Sequence, residues 1–124
     1  IVRGEIPSHK VYEDDDFLAF LDVNPENPGH TLVIPKVHNR WVWDVPNSGK
    51  FFEVAIKVAK VLQKSMSTEY ISVGIEGKDI SHAHMHLIPR FKDESHNEWI
   101  IDTKIKKIPK EEMGQISKKI RDSF

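Results

Sequence analysis

Between His82 and Pro89 the chain runs His-Ala-His-Met-His-Leu-Ile-Pro, with polar and apolar residues alternating until the apolar end. Successive side chains of an extended strand point to opposite faces. The run therefore predicts a strand over 82–88, with the imidazoles of His82, His84 and His86 on one face and Ala83, Met85 and Leu87 on the other. A fold that contains it must supply an apolar layer behind the strand and present three proton-handling, nucleophilic groups in front of it.

The rest of the sequence supplies that layer. Lys10 to Glu13 and Phe17 to Asp22 are β-prone runs separated by Asp14-Asp15-Asp16, which predicts a first hairpin with an acidic turn. Asn24-Pro25-Glu26-Asn27-Pro28-Gly29 is the densest turn signal, and a third strand is predicted over His30 to Pro35. From Asn47 to Met66 the period changes. Phe51, Ala55, Val58, Leu62 and Met66 recur at three- and four-residue steps, with Lys57, Lys60 and Lys64 off the stripe. An amphipathic helix follows, capped by Asn47 or Ser48. Tyr70 to Ile75 alternates like a further strand. In the tail, Pro109 marks a helix start, Glu111 and Glu112 fall in the first turn and Met113, Ile116 and Ile120 share a side. The predicted class is α+β, an antiparallel sheet of about five strands with helices packed on it.

Length and charge narrow the function. The 124 residues, 39% hydrophobic and 30% charged, suffice for one core but not for two ordinary domains. The net charge of −1 and the small basic clusters at Lys104-Ile105-Lys106-Lys107 and Lys118-Lys119-Ile120-Arg121 do not make a nucleic-acid surface. Without cysteine there is no disulfide and no thiolate metal site. No run reaches the ~20 apolar residues of a membrane span and no signal-peptide pattern opens the chain, so a soluble cytoplasmic protein is expected. The first residue is Ile1, and a few residues upstream of it are expected.

Several chemistries compete for the histidine row. A solvated strand face is the simplest. Zinc could take two of the three histidines plus a remote ligand such as His30, but not all three. At ~3.3 Å per residue His82 and His86 stand ~13 Å apart along a strand, whereas ligands of one zinc lie within ~3.5 Å of each other. Nucleic-acid stacking lacks interleaved aromatics. Covalent phosphoryl-group chemistry uses every histidine. A central imidazole, His84, attacks phosphorus while its second nitrogen is held by a carbonyl, and its neighbours donate to the non-bridging oxygens.

His82-Ala83-His84-Met85-His86-Leu87-Ile88 resembles the His-φ-His-φ-His-φ-φ motif of the histidine triad (HIT) family of nucleotide hydrolases and transferases. Phe17 to Pro25 and Pro28 to Lys36 resemble the nucleoside-binding half of the same family, and Gly4-Glu5-Ile6-Pro7-Ser8 the entry to its first strand. The likeness spans about residues 1–91, with the helical tail, about 109–124, outside it. It implies a HIT-like fold with one long central helix, a C-terminal helix and a homodimer sharing a sheet. It further implies a nucleotidyl intermediate on His84, α-phosphate contacts from His82 and His86, and support from His30. Asp22 would bind the ribose hydroxyls, and Phe20, Leu21, Val23 and Ile6 would belong to the nucleoside site. The expected activity is cleavage at the α-phosphate of a small nucleotide substrate such as a phosphoramidate or dinucleoside polyphosphate, with no obligatory metal or other cofactor. A nucleotide-binding regulatory protein and a zinc-binding domain are the alternatives. In one respect the chain departs from the pattern: the connection Ile75 to Ser81 is several residues shorter than in many members and lacks the amide side chains that contact the phosphate, so the leaving-group acid is unassigned.

Asp14 to Asp16 is expected to be a solvated turn and His9, His38 and His96 surface histidines, with His38 near enough to Pro35 to approach the nucleotide. Trp41 and Trp43 are expected in packing or dimer contacts, and Trp99 at the rim of the site.

Overall fold

The turn between β1 (Lys10–Glu13) and β2 (Phe17–Leu21) is closed by one carboxylate. Asp14 Oδ1 accepts the backbone N–H groups of Asp16 and Phe17 at 2.8 and 2.7 Å, and its Oδ2 accepts the Tyr12 hydroxyl at 2.8 Å. The acidic turn thus makes the first hairpin, as its side-chain chemistry predicts. The computed structural model describes residues 9–77, 80–91 and 106–124. Ile6, His96 and Trp99 lie outside the described residues.

β3 (Thr31–Pro35) pairs with β2, and after a single 3-10 turn at Val42–Asp44 comes the 18-residue helix α1 (Ser48–Ser65). β4 (Tyr70–Gly74) and β5 (Met85–Arg90) complete an antiparallel sheet of order β1-β2-β3-β5-β4, and α2 (Lys110–Asp122) ends the chain. Among the described residues β5, the last strand in sequence, therefore lies inside the sheet and β4 at its edge.

One face of the sheet holds the main core. Phe17, Ala19, Leu21, Val33, Met85 and Leu87 meet Phe51, Val54, Ala55, Val58 and Leu62 of α1 and Met113 and Ile120 of α2. Phe17 stacks on Phe51 with ring centroids 5.3 Å apart, a geometry that adds to the burial of two large apolar side chains. Asn47 occupies the N-cap position of α1 but makes no side-chain capping bond, and Pro109 occupies that of α2. Arg121 Nη1 donates to the Lys10 carbonyl at 2.8 Å, tying α2 to β1. Among the described residues no helix is long and apolar enough to cross a membrane.

The predicted strand over 82–88 is displaced: β5 runs from Met85 to Arg90, so His82, Ala83 and His84 precede it. Bonds to the loop after β3 replace the ladder there. The Ala83 N–H donates to the Asn39 carbonyl at 2.6 Å and the His82 ring to the Pro35 carbonyl at 2.7 Å. At the other end, pairing with β4 carries β5 through Pro89 to Arg90.

The turn before β3 depends on Gly29, whose φ of +86° is unfavourable for any residue with a Cβ. A Cβ there would also stand 3.0 Å from Met66 Cγ and 3.1 Å from Pro89 Cγ. Gly29→Ala is expected to destabilise the fold by about 1–3 kcal/mol in urea denaturation. Gly49→Ala, in the first turn of α1 with no atom within 4 Å of the new Cβ, should stabilise it by about 0.5–1 kcal/mol. An unchanged Gly29→Ala midpoint would show that the turn tolerates a side chain.

Candidate active site

Strand register builds the site on the face away from the helices. Phe20 pairs with Leu32, Leu32 with His86 and His86 with Gly74, so these four form a row across β2, β3, β5 and β4. Beyond the end of β2, Asp22 donates its N–H to the His30 carbonyl at 2.9 Å, which sets Asp22 and His30 in the next row. Glycine opposite His86 leaves that flank of the imidazole without a side chain. His84, which precedes β5, turns its ring edge-on to His86 with centroids 5.0 Å apart, and His30 lies 5.2 Å from His86 on the other side.

Hydrogen bonds then decide which ring nitrogens carry protons. The Glu26 N–H donates to His30 Nδ1 at 3.0 Å, so the proton of the neutral ring is on Nε2. His30 Nε2 lies 2.9 Å from His86 Nδ1 and donates to it, which leaves the His86 proton on Nε2, free to face an anion. His84 Nδ1 lies 2.9 Å from the His82 carbonyl. A carbonyl only accepts, so His84 carries its proton on Nδ1 and has a lone pair on Nε2. His82 spends the proton of its own Nε2 on the Pro35 carbonyl, and its ring meets His38 edge-on at 5.1 Å. The row is thus divided: His84, His86 and His30 form one chain and His82 braces the loop.

The turn that presents Glu26 and His30 is clamped from both ends. Arg90 Nη2 reaches the buried Glu26 carboxylate at 3.3 Å while Arg90 Nε donates to Ser72 Oγ at 3.1 Å. Buried Asn27 donates to the Pro89 carbonyl at 2.9 Å and accepts from Lys106 Nζ at 2.5 Å. Asp22 uses Oδ1 to accept the Asn24 N–H at 2.9 Å and holds Oδ2 3.5 Å from His30 Nε2. Burial raises the Asp22 carboxyl above its usual range, against the pull of the Asn24 N–H and of His84.

Asp22, His30 and His86 are the described residues able to converge on a cation, with ligand atoms within 4.8 Å of one another. To bind a metal through Nε2, neutral His30 would need its proton on Nδ1, where the Glu26 N–H already points. The two nitrogens, 2.9 Å apart, are spaced as hydrogen-bond partners. The present geometry is a hydrogen-bonded pair of imidazoles anchored by a peptide N–H.

Of the predicted nucleoside residues, Phe20 shares the site face, where Leu18, Leu32 and Ile34 join it in a second apolar cluster. Val23 is 72% exposed. Leu21 is not brought to that face: it is buried in the helix-side core, because neighbouring strand residues alternate. The sequence reading missed Leu18, Leu32 and Ile34 as companions of Phe20. Their signal was their odd or even place in β2 and β3.

Burial, with the nearby His86 and Arg90, lowers the His30 ring to about 3, and burial with His84 lowers His86 to about 4. Both rings stay neutral in the fold but take up protons near 6.5 when unfolded. Between these values the unfolded chain binds more protons, so stability present above pH 6.5 is lost as the pH falls toward 4. The loss per fully shifted histidine has a ceiling of about 1.4 kcal/mol per pH unit, reached less closely by partly buried His86. In denaturation midpoints from pH 7 to 4, His30→Gln should flatten the slope. An identical slope in the variant would show that these rings are not the source.

The HIT domain family model matches residues 3–93, a span that includes every strand and the whole histidine row. The fold superposes with a TM-score of 0.82 on the crystal structure of a Hit-like protein involved in cell-cycle regulation from Bartonella henselae, 35% identical, over 99% of this chain and 91% of that one. An adenosine 5′-monophosphoramidase of Saccharomyces cerevisiae is 37% identical over 100 residues, 77% of this chain and 62% of the yeast protein. An adenylylsulfatase of Arabidopsis thaliana is 37% identical over 101 residues, 73% of this chain and 49% of the plant protein. With the sheet order, the helix placement and the histidine row in agreement, the chain belongs to the HIT, or histidine triad, family.

Proposed function

We propose that this protein is a nucleotidyl hydrolase or transferase that cleaves at the α-phosphate of a small nucleotide through a covalent intermediate on His84. The observation that carries the proposal is the 2.9 Å bond from His84 Nδ1 to the His82 carbonyl, which leaves Nε2 with its lone pair beside His86. Nε2 forms a bond to phosphorus while the bond to the leaving group breaks and its electron pair departs with that group. His86 Nε2–H faces the charge that grows on the non-bridging oxygens, held there by His30 and the Glu26 N–H. Water then attacks phosphorus, the P–N bond returns its electron pair to Nε2, and one water proton passes to solvent. A second nucleophile in place of water makes the same site a transferase.

The cluster of Phe20, Leu18, Leu32 and Ile34 beside Asp22 supports nucleoside binding on this face. The names of the yeast and plant relatives, a phosphoramidase and a sulfatase of adenylyl compounds, support adenylyl substrates. The hydrogen-bonded imidazoles support catalysis with no obligatory metal. Nucleotide binding without turnover is the alternative, favoured by the short 75–81 connection. His84→Asn should lower kcat/KM for adenosine 5′-phosphoramidate and a dinucleoside polyphosphate by about a thousandfold or more, with nucleotide affinity within a few-fold. The wild-type rate should survive chelation. Near-normal turnover by the variant, or a rate lost with its metal, would overturn the proposal, and nucleotide binding with no wild-type turnover would favour the alternative.

The chain works as a homodimer in this proposal. Among the described residues β4 is the outermost strand, and Val73 within it and Ile75 just after it, 56% and 39% exposed, lie on the side of the sheet that carries α1. Phe52 and Ile56, one turn apart on α1, are 43% and 55% exposed. An outer strand beside exposed apolar side chains is what a second copy would cover. Light scattering should give a dimer at micromolar concentration, and Ile56→Asp a monomer. A monomeric wild type would exclude it.

A further inference from the structure

Lys106, from the basic run 104–107, grips the turn that carries Glu26 with both of its donors. Its backbone N–H donates to the Pro25 carbonyl at 2.6 Å, and its Nζ donates to Asn27 Oδ1 at 2.5 Å. An ammonium only donates and the Pro89 carbonyl only accepts, so the two contacts fix the orientation of the buried Asn27 amide. Asn27 thus joins Lys106 to Pro89 of β5. The Pro25 carbonyl and the Glu26 N–H belong to one planar peptide unit. A continuous run of bonds therefore leads from the Lys106 N–H through that peptide to His30 Nδ1, and from His30 Nε2 to His86 Nδ1. Hydrogen bonds in series polarise one another, so a Pro25 carbonyl that accepts makes the Glu26 N–H a stronger donor. Lys106 is itself held from the far side. Ile108 packs against the helix-side core to which α2 contributes Met113 and Ile120. All of these anchors lie beyond residues 3–93, the span that the family model matches.

We propose that Lys106 is a positioning residue of the His84 site: it holds the Pro25–Glu26 peptide against His30 Nδ1 and so keeps the His86 proton on Nε2, where the phosphoryl oxygens need it. The inference rests on His84 as the nucleophile and His86 as the donor to those oxygens. With the peptide turned away, His30 Nδ1 has no donor and the ring can carry its proton on either nitrogen. A His30 protonated on Nδ1 offers a lone pair from Nε2, and His86 answers with a proton on its own Nδ1. The His86 Nε2 lone pair then faces the non-bridging oxygens and repels them. Lys106 thus acts on the reaction through two imidazoles and touches no substrate.

The test compares the wild type with Lys106→Met, Lys106→Arg and a control, Arg121→Met, which removes the bond from α2 to the Lys10 carbonyl and leaves the turn alone. With adenosine 5′-phosphoramidate, Lys106→Met should lower kcat about tenfold while KM stays within about twofold. Lys106→Arg, which keeps a cationic donor, should recover most of the loss, and Arg121→Met should keep the wild-type kcat. Nitrogen-15 NMR of the imidazoles at neutral pH reads the tautomers without turnover. The wild type should show His30 and His86 each protonated on Nε2, and Lys106→Met should show both rings averaged between tautomers. Wild-type tautomers or a wild-type kcat in Lys106→Met, or the same averaging in Arg121→Met, would overturn the proposal. The NMR readout also separates it from the proposed function: tautomers that shift as expected, in a protein whose wild type forms no intermediate on His84, overturn the chemistry and leave the hold of Lys106 on the imidazoles standing.

Discussion

A single backbone donor, the Glu26 N–H, settles the protonation of a chain of imidazoles. It occupies His30 Nδ1, sends the His30 proton to Nε2 and so makes His86 Nδ1 an acceptor. A histidine alone has two tautomers of similar energy; here the choice is made outside the rings, by the peptide unit of a clamped turn. The ion pair of Glu26 with Arg90 and the bonds of Asn27 to Pro89 and Lys106 hold that peptide in place. Since His84 is set independently by the His82 carbonyl, two short hydrogen-bond chains meet between His84 and His86.

The sheet keeps packing and chemistry on separate faces. Leu87 and Met85 anchor β5 in the helix-side core, and His86 between them faces the other way. A large side chain on each side of His86 in sequence thus fixes its direction, and a change in the register of β5 by one residue would bury the imidazole against α1. Substitutions under α1 affect stability first, and those in the turn around Glu26 affect the imidazole pair first.

Much of this was legible in the residues. The first hairpin follows from Asp14, and α1 from a stripe at Phe51, Ala55, Val58 and Leu62 that no strand would tolerate. The histidines were visible as a row, but their separation was not. Alternation describes a ladder of backbone bonds, whereas His82 and Ala83 bond to carbonyls of Pro35 and Asn39, more than forty residues earlier. β2 and β3 are buried throughout, so Phe-Leu-Ala-Phe-Leu and Thr-Leu-Val-Ile-Pro carry no polar face to mark which side is which. For that reason the residues alone do not show that Leu21 turns to the helix side.

The position of β5 bears on the order in which the molecule is made. β1, β2 and β3 are sequential neighbours in the sheet, but among the described residues β4 pairs with β5, and β5 lies between β3 and β4. A nascent chain that ends before residue 85 can hold a three-stranded sheet and α1, with the strand that β4 pairs with, and His86, still to come. Loop closure of this kind is slow compared with local pairing. Synthesis therefore brings β1 to β3 and α1 before His84 and His86, while α2, which closes the helix-side core, comes last, and an interrupted chain has Asp22 and His30 without His84 and His86.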